Sequence, residues 1–173
     1  MTLNELALKY GSDKADHGYC PFYEQWLPKA PKKLLEIGVL HGSSIRMWKE
    51  WFPECEIHGL DLFESNPIPD IEGATWHKGN QCDYVLLDKL RNENFDVIID
   101  DGSHNSRDQM ITFFGLFNGS QYYIEDLHCC WEPFYRDGLP ESASAYELFK
   151  SLHDSDSELK VIREKNIVLI QSI

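Results

Sequence analysis

At 173 residues, with 42% hydrophobic and 26% charged residues, the chain is sized for one domain with a real core, which excludes a two-domain enzyme and a largely disordered state. Sixteen Lys and Arg against 29 Asp and Glu leave a formal net charge of −13, a field that repels nucleic acid and anionic lipid surfaces. Five cysteines without a C-x-x-C pair, and no continuous apolar run of ~18 residues, argue against a disulfide framework, structural zinc and a membrane span, so the expected setting is cytoplasmic.

Residues 1–31 form an aromatic, polar opening that ends at Pro28, Pro31 and two lysines, and they are expected to be a cap segment ahead of a domain spanning 32–173. Four runs then follow that lack the alternation of a half-exposed strand: LLEIGV (34–39), EIHGLDL (56–62), FDVIIDD (95–101) and QYYIEDL (121–127). Such runs fit buried parallel strands. Between them, SSIRMWKEWF (43–52), DYVLLDKLRN (83–92) and SRDQMITFFGLF (106–117) place apolar residues at helical spacing. The alternation predicts an α/β fold, a Rossmann-like doubly wound sheet that is mostly parallel. Residues 132–144, rich in Pro, Gly and Ser, read as a loop able to act as a flap. The closing LKVIREKNIVLIQSI holds two β-rich runs around Arg163–Asn166, an antiparallel C-terminal hairpin at the sheet edge.

The first strand runs into Glu36-Ile37-Gly38-Val39-Leu40-His41-Gly42-Ser43-Ser44, a glycine turn that opens a helix. Its E-x-G-x-x-x-G spacing differs from the G-x-G-x-x-G that seats a pyrophosphate, which favours a nucleoside cofactor without one and weighs against an NAD-dependent oxidoreductase. Asp61 closes the second strand, where a carboxylate can accept ribose hydroxyls. Asp100, Asp101, Glu125 and Asp126 fall at two later strand ends, on the one edge where ligands bind in such sheets. Crowded carboxylates repel unless a cation intervenes, and an all-oxygen set favours Mg²⁺, Mn²⁺ or Ca²⁺ over zinc. Solvated strand-end acids are the plainer reading of the same spacing. His104, three residues beyond Asp101, has the chemistry of a general base, with His128 its rival and a surface imidazole the simpler possibility. Trp131, Phe134 and Tyr135 fit core or flap packing equally well, and Cys129-Cys130 reads as packing.

These motifs carry a resemblance. Tyr10-Gly11-Ser12-Asp13-Lys14, then His17, Tyr19 and Tyr23, followed by LEIGVLHGSS, IHGLDL, GNQCD, FDVIIDDGSH and YIEDL, resemble the metal-dependent sugar O-methyltransferases of the macrocin and mycinamicin type, which are class I S-adenosylmethionine enzymes. The likeness runs from about residue 8 to 128, and D-D-G-S-H paired with I-E-D-L is its most specific part. It implies methyl transfer from S-adenosylmethionine to a hydroxyl of a sugar or similar small polar acceptor. It assigns Mg²⁺ (or Mn²⁺) to Asp101, Glu125 and Asp126, and the general base to His104. Tyr10, Ser12, Lys14, Glu36, Gly38, Ser44, Asp61, Gln81 and Asp100 would surround the donor, with the Tyr10–Tyr23 segment closing over it. Gly79-Asn80-Gln81 departs from the usual G-D-Q. A non-catalytic donor-binding module or partner subunit is the alternative from another class, and a homo-oligomer is compatible with either.

Overall fold

In the computed structural model, which describes residues 1–155 and 158–173, the described residues form a seven-stranded sheet. The four apolar runs become β1 (Lys33–Ile37), β2 (Glu56–Asp61), β4 (Val97–Asp100) and β5 (Gln121–Ile124), with β3 (Ala74–Lys78) at the outer edge. The order is β3-β2-β1-β4-β5-β7-β6, where β6 (Leu159–Glu164) and β7 (Ile167–Ser172) are the C-terminal hairpin. Strands β1 to β5 are parallel, and β7 pairs antiparallel with both β5 and β6. Because β1 pairs with β2 on one side and β4 on the other, the strand order reverses there. The crevice beyond β1 and β4 is where a fold of this type receives ligands.

Helices cover both faces, and the two-residue period of the strands decides what each face buries. Leu34, Val97, Ile99 and Tyr123 point to one side, and Leu35, Ile98, Tyr122 and Ile124 to the other. The second side is closed by α4 (Tyr84–Arg91), α5 (Ser106–Leu116) and α6 (Ala145–Ser155), which contribute Leu87, Phe113 and Phe149. The first is closed by α3 (Ser43–Trp51) together with α1 (Leu3–Tyr10) and α2 (Cys20–Trp26). Residues 1–31 therefore share the core: Leu3, Leu6, Tyr19, Phe22 and Tyr23 are buried with Trp48 and Tyr123. Tyr23 lies between Trp48 and Tyr123 at ring-centroid distances of 5.2 and 4.9 Å, geometry that adds about 0.5–1.5 kcal/mol per pair beyond area burial. A Thr2–Glu5 capping box starts α1, Gly11 in a left-handed conformation ends it, and the Tyr10 hydroxyl donates to Glu50 on α3.

Two elements depart from the sequence expectation. Strand β3 is half exposed along its length because it is an edge strand, so its apolar signal is weak. Residues 127–143 wind through three short 3-10 turns, Leu127–Trp131, Pro133–Arg136 and Glu141–Ala143, and lead into α6, which pattern alone did not reveal. Among the described residues, no helix is long and apolar enough to cross a membrane, and the five cysteines are free thiols.

Candidate active site

A cleft of about 400 Å³ opens at the carboxyl edge of the sheet, over β1 and β4. Its walls are the Gly38–His41 turn, Ser43 and Ser44 at the start of α3, the Gly11–Asp13 loop after α1, and the strand-end residues Asp61, Asp101, His104 and Asp126. A smaller hollow of about 180 Å³ continues from it, sharing Gly38, Asp61 and Gly102 and adding Ile37, Leu60, Leu62 and Gln81. The two together give one elongated recess, polar at the acids and more apolar at the far end.

The glycine turn is shaped by close approach. Gly38 has φ +85°, and a Cβ there would lie 2.0 Å from the Asp101 carbonyl oxygen, so the β1 turn and the β4 loop touch backbone to backbone. Leu40 (φ 50°), Phe63 (φ 49°), His104 (φ 56°) and Asp126 (φ 55°) are left-handed without being glycine, and they follow β1, β2, β4 and β5 respectively. Each carries backbone strain of about 1–2 kcal/mol, and strain of this kind concentrates at ligand sites. Asp61 holds the turn closed: Oδ2 accepts from Val39 N (2.7 Å) and Leu40 N (3.0 Å), and Oδ1 from Phe63 N (3.2 Å). With about four acceptor positions on a carboxylate, roughly one is left for a ligand.

Lys14 is fully buried beneath the cleft, and its ammonium meets three carboxylates. The distances are 2.7 Å to Asp101 Oδ2, 2.9 Å to Glu125 Oε1 and 3.1 Å to Glu36 Oε1. Burial pulls the lysine down, but the three carboxylates outweigh it and hold the ammonium well above its ordinary range. Glu36 also accepts from Ser44 Oγ (2.7 Å), and Glu125 from the Tyr23 hydroxyl. Burial, and then the charge of Asp101, raises Glu125 well above the usual carboxylate range. Tyr19, raised by burial and by Asp126, stays a phenol and donates to Asp126 Oδ1 at 2.6 Å. Three imidazoles ring Asp126: His104 Nε2 at 3.7 Å from Oδ2, and His17 Nδ1 and His128 Nδ1 at 3.6 and 3.9 Å from Oδ1.

The expected residues thus separate by position. Ser12, Gly38, Ser44 and Asp61 line the large cleft with Asp101, His104 and Asp126, and Gln81 lines the smaller hollow. Asp101, His104 and Asp126 offer ligand atoms within 4.8 Å of one another, a set suited to a divalent cation, whereas Glu125 lies behind them with its oxygens on Lys14 and Tyr23. Glu36, Lys14 and Asp100 are wholly buried under the floor, and Tyr10 fastens α1 to α3 through Glu50 without lining either cavity. Asp100 accepts from Tyr122 (3.2 Å) and Gln81 (3.4 Å), and burial pushes its carboxyl up to about 7. Asn80 uses Oδ1 to accept from Cys82 N at 2.8 Å, keeping the turn with an amide oxygen. Two buried polar atoms on the cleft wall, Ser12 Oγ and His104 Nδ1, have no partner among the described residues, as expected where a polar ligand belongs. Sequence reasoning missed the ion-pairing role of Lys14 and the hydroxyls of Tyr19 and Tyr23 on the acids, although their spacing is visible in the chain.

No family model matches the chain. Among curated proteins it is similar to the 8-demethyl-8-(2-methoxy-alpha-L-rhamnosyl)-tetracenomycin-C 3'-O-methyltransferase of Streptomyces olivaceus, at 33% identity over 88% of this chain and 44% of the relative. It is also similar to the mycinamicin VI 2''-O-methyltransferase of Micromonospora griseorubida (33%, over 88% and 43%) and to the demethylmacrocin O-methyltransferase of Streptomyces fradiae (34%, over 88% and 44%). A solved structure of MycE methyltransferase from the mycinamycin biosynthetic pathway, in complex with Mg, SAH and mycinamycin VI, superposes with TM-score 0.86 at 26% identity, over 99% of this chain and 53% of that one. The chain is thus similar in sequence to part of several curated O-methyltransferases, and its fold is that of part of the MycE methyltransferase. An O-methyltransferase from Bacillus cereus shares the fold alone, with TM-score 0.59 at 13% identity over 99% of this chain and 90% of that one. The chain spans less than half the length of these curated relatives.

Proposed function

We propose that the chain transfers a methyl group from S-adenosylmethionine to a hydroxyl of a sugar or similar small polar acceptor, in a reaction that requires Mg²⁺ or Mn²⁺. The observation that carries this reading is the junction of two parts in one recess: the glycine-turn cleft, and the Asp101, His104, Asp126 cluster at its end. The relatives named as sugar O-methyltransferases support it.

In this reading Ser12, the open first turn of α3 at Ser43 and Ser44, and the remaining acceptor position of Asp61 hold the donor, and the hollow by Leu60, Leu62 and Gln81 takes its base. The 1–31 segment caps it through the Gly11–Asp13 loop. Asp101 and Asp126 hold the cation, with Glu125 fixed behind them. The donor supplies an already activated methyl group, and the cation supplies Lewis acidity toward the acceptor hydroxyl. His104 takes the hydroxyl proton, and Asp126, whose Oδ2 lies 3.7 Å from Nε2, steadies the imidazolium that forms. Tyr135 stands edge-on to His104 with centroids 6.4 Å apart and leads to the exposed Phe134, a stacking surface for the apolar face of a sugar ring. The free cysteines support a cytoplasmic setting.

Calorimetry with S-adenosylmethionine, followed by transfer of a labelled methyl group to a panel of glycosides with and without chelator, tests the proposal. Donor binding with chelator-sensitive transfer is the expected result. Donor binding without transfer to any acceptor points to the non-catalytic module, and no donor binding refutes the reading.

A further inference from the structure

The reading of Asp101 and Asp126 as a cation site leaves unexplained why a lysine is buried one carboxylate away from it. The Lys14 ammonium has three protons and three carboxylate partners, and its side chain has no access to solvent. Its backbone is equally fixed, since the 10–19 loop is tied by Ser12 N to Ala7 O (2.9 Å), His17 N to Asp13 O (2.9 Å) and Tyr19 N to Lys14 O (2.9 Å). When a divalent ion enters, this charge therefore has nowhere to go. It stays 2.7 Å from Asp101 Oδ2, on a residue that also offers a ligand atom to the cluster with His104 and Asp126.

We propose that Lys14 is a positioning residue that acts as a tethered competitor of the metal: its ammonium aligns Asp101 and Glu125 and, by the same charge, keeps divalent-cation affinity low. Two effects of opposite sign are combined in one group. Alignment tightens binding by holding ligands in place, whereas like-charge repulsion across a few ångströms of protein weakens it. Repulsion dominates here because alignment is duplicated. Asp126 is held by Tyr19, Glu125 by Tyr23, and the backbone of Asp101 by its amide bond to Ile37 O at 2.9 Å. The ammonium is the sole cationic partner of Asp101 among the ion pairs of the described residues. The site thus rests folded with part of its negative charge already offset, and exchanges metal readily.

The inference rests on the cation reading, and Mn²⁺ alone serves as the probe. Titration of the full chain by electron paramagnetic resonance gives Kd without reference to activity. Lys14→Met should tighten Kd at least tenfold, and Lys14→Arg, which keeps the charge, should stay within about threefold of the parent. Should Lys14→Met fail to fold, the paired Lys14→Gln/Glu36→Gln variant removes one charge of each sign and should still tighten Kd at least threefold. Equal or weaker Mn²⁺ binding in the neutral variants overturns the inference and leaves the cation site standing. Absence of Mn²⁺ binding at millimolar concentration in the parent and in the neutral variants alike overturns both.

Discussion

Gly38→Ala is the sharpest test of how the cleft is built. The new methyl would stand 2.0 Å from the Asp101 carbonyl oxygen, 2.6 Å from its carbon and 2.9 Å from Gly102 Cα, all backbone atoms with no rotamer to yield. Two costs add: about 1–2 kcal/mol for a side chain at φ +85°, and about 1–3 kcal/mol for pushing the β4 loop away. Lower entropy of the unfolded alanine chain returns about 0.4–1 kcal/mol, leaving a loss of about 2–4 kcal/mol. Gly138→Ala is the internal control, because Gly138 is equally left-handed (φ +77°) with nothing within 4 Å of its Cβ, so only the strain remains and the loss should stay near 1 kcal/mol. With a urea m-value of about 2 kcal/mol/M, Gly38→Ala should lower the midpoint by about 1–2 M and the control by about 0.5 M or less. Since Gly38 and the displaced Gly102 both line the recess proposed for the donor, a folded Gly38→Ala should also lose donor binding by calorimetry. Equal midpoints for the two variants would show that the loops do not touch as described.

The Asp100 carboxyl, raised by burial to about 7 from 3.8, takes up its proton more readily folded than unfolded, so its contribution to stability is full below pH ~4 and lost as pH rises through 7. Asp100→Asn should flatten that fall and stabilise the protein at pH 8 by about 2–4 kcal/mol, and identical pH slopes in urea titrations of both proteins would dismiss the idea. His104→Ala should lower kcat by about 10²–10⁴-fold while leaving donor affinity unchanged, and a loss of affinity instead would make it a binding residue. Mg²⁺ should raise the melting temperature of the parent, and Asp126→Asn should blunt the rise; an undiminished shift in the variant moves the cation elsewhere.

The parallel strands were legible because burial on both faces leaves no alternation, and Leu34 beside Leu35 or Tyr122 beside Tyr123 displays that pattern in the chain itself. Helices α3, α4 and α5 were legible from spacing, whereas α1, α2 and α6 were not. β3 was not, since an edge strand keeps polar and apolar residues mixed, and Trp76 and His77 are each only half buried. The order along the chain placed the candidate residues at strand ends of one sheet edge, where the cleft lies. What order could not show is depth: Glu36, Asp100 and Glu125 look equivalent to Asp101 and Asp126 in sequence, yet the first three lie under the floor. Nor could it show that a lysine 87 positions before Asp101 lies on that carboxylate, because such a contact depends on how α1 and α2 dock.

Leu40, Phe63, His104 and Asp126, each just beyond a strand end, hold a backbone conformation that glycine or asparagine would adopt at ease. Four such positions store about 4–8 kcal/mol, a sum comparable with the whole stability of many domains. A selection for heat resistance alone would be drawn to Leu40, whose exposed side chain is cheap to surrender, and not to Phe63, which is buried against Trp76. At His104 and Asp126 the same change would remove the proposed base and cation ligand, so thermostable descendants that keep the proposed methyl transfer should accumulate their changes at Leu40, or away from these strand ends altogether.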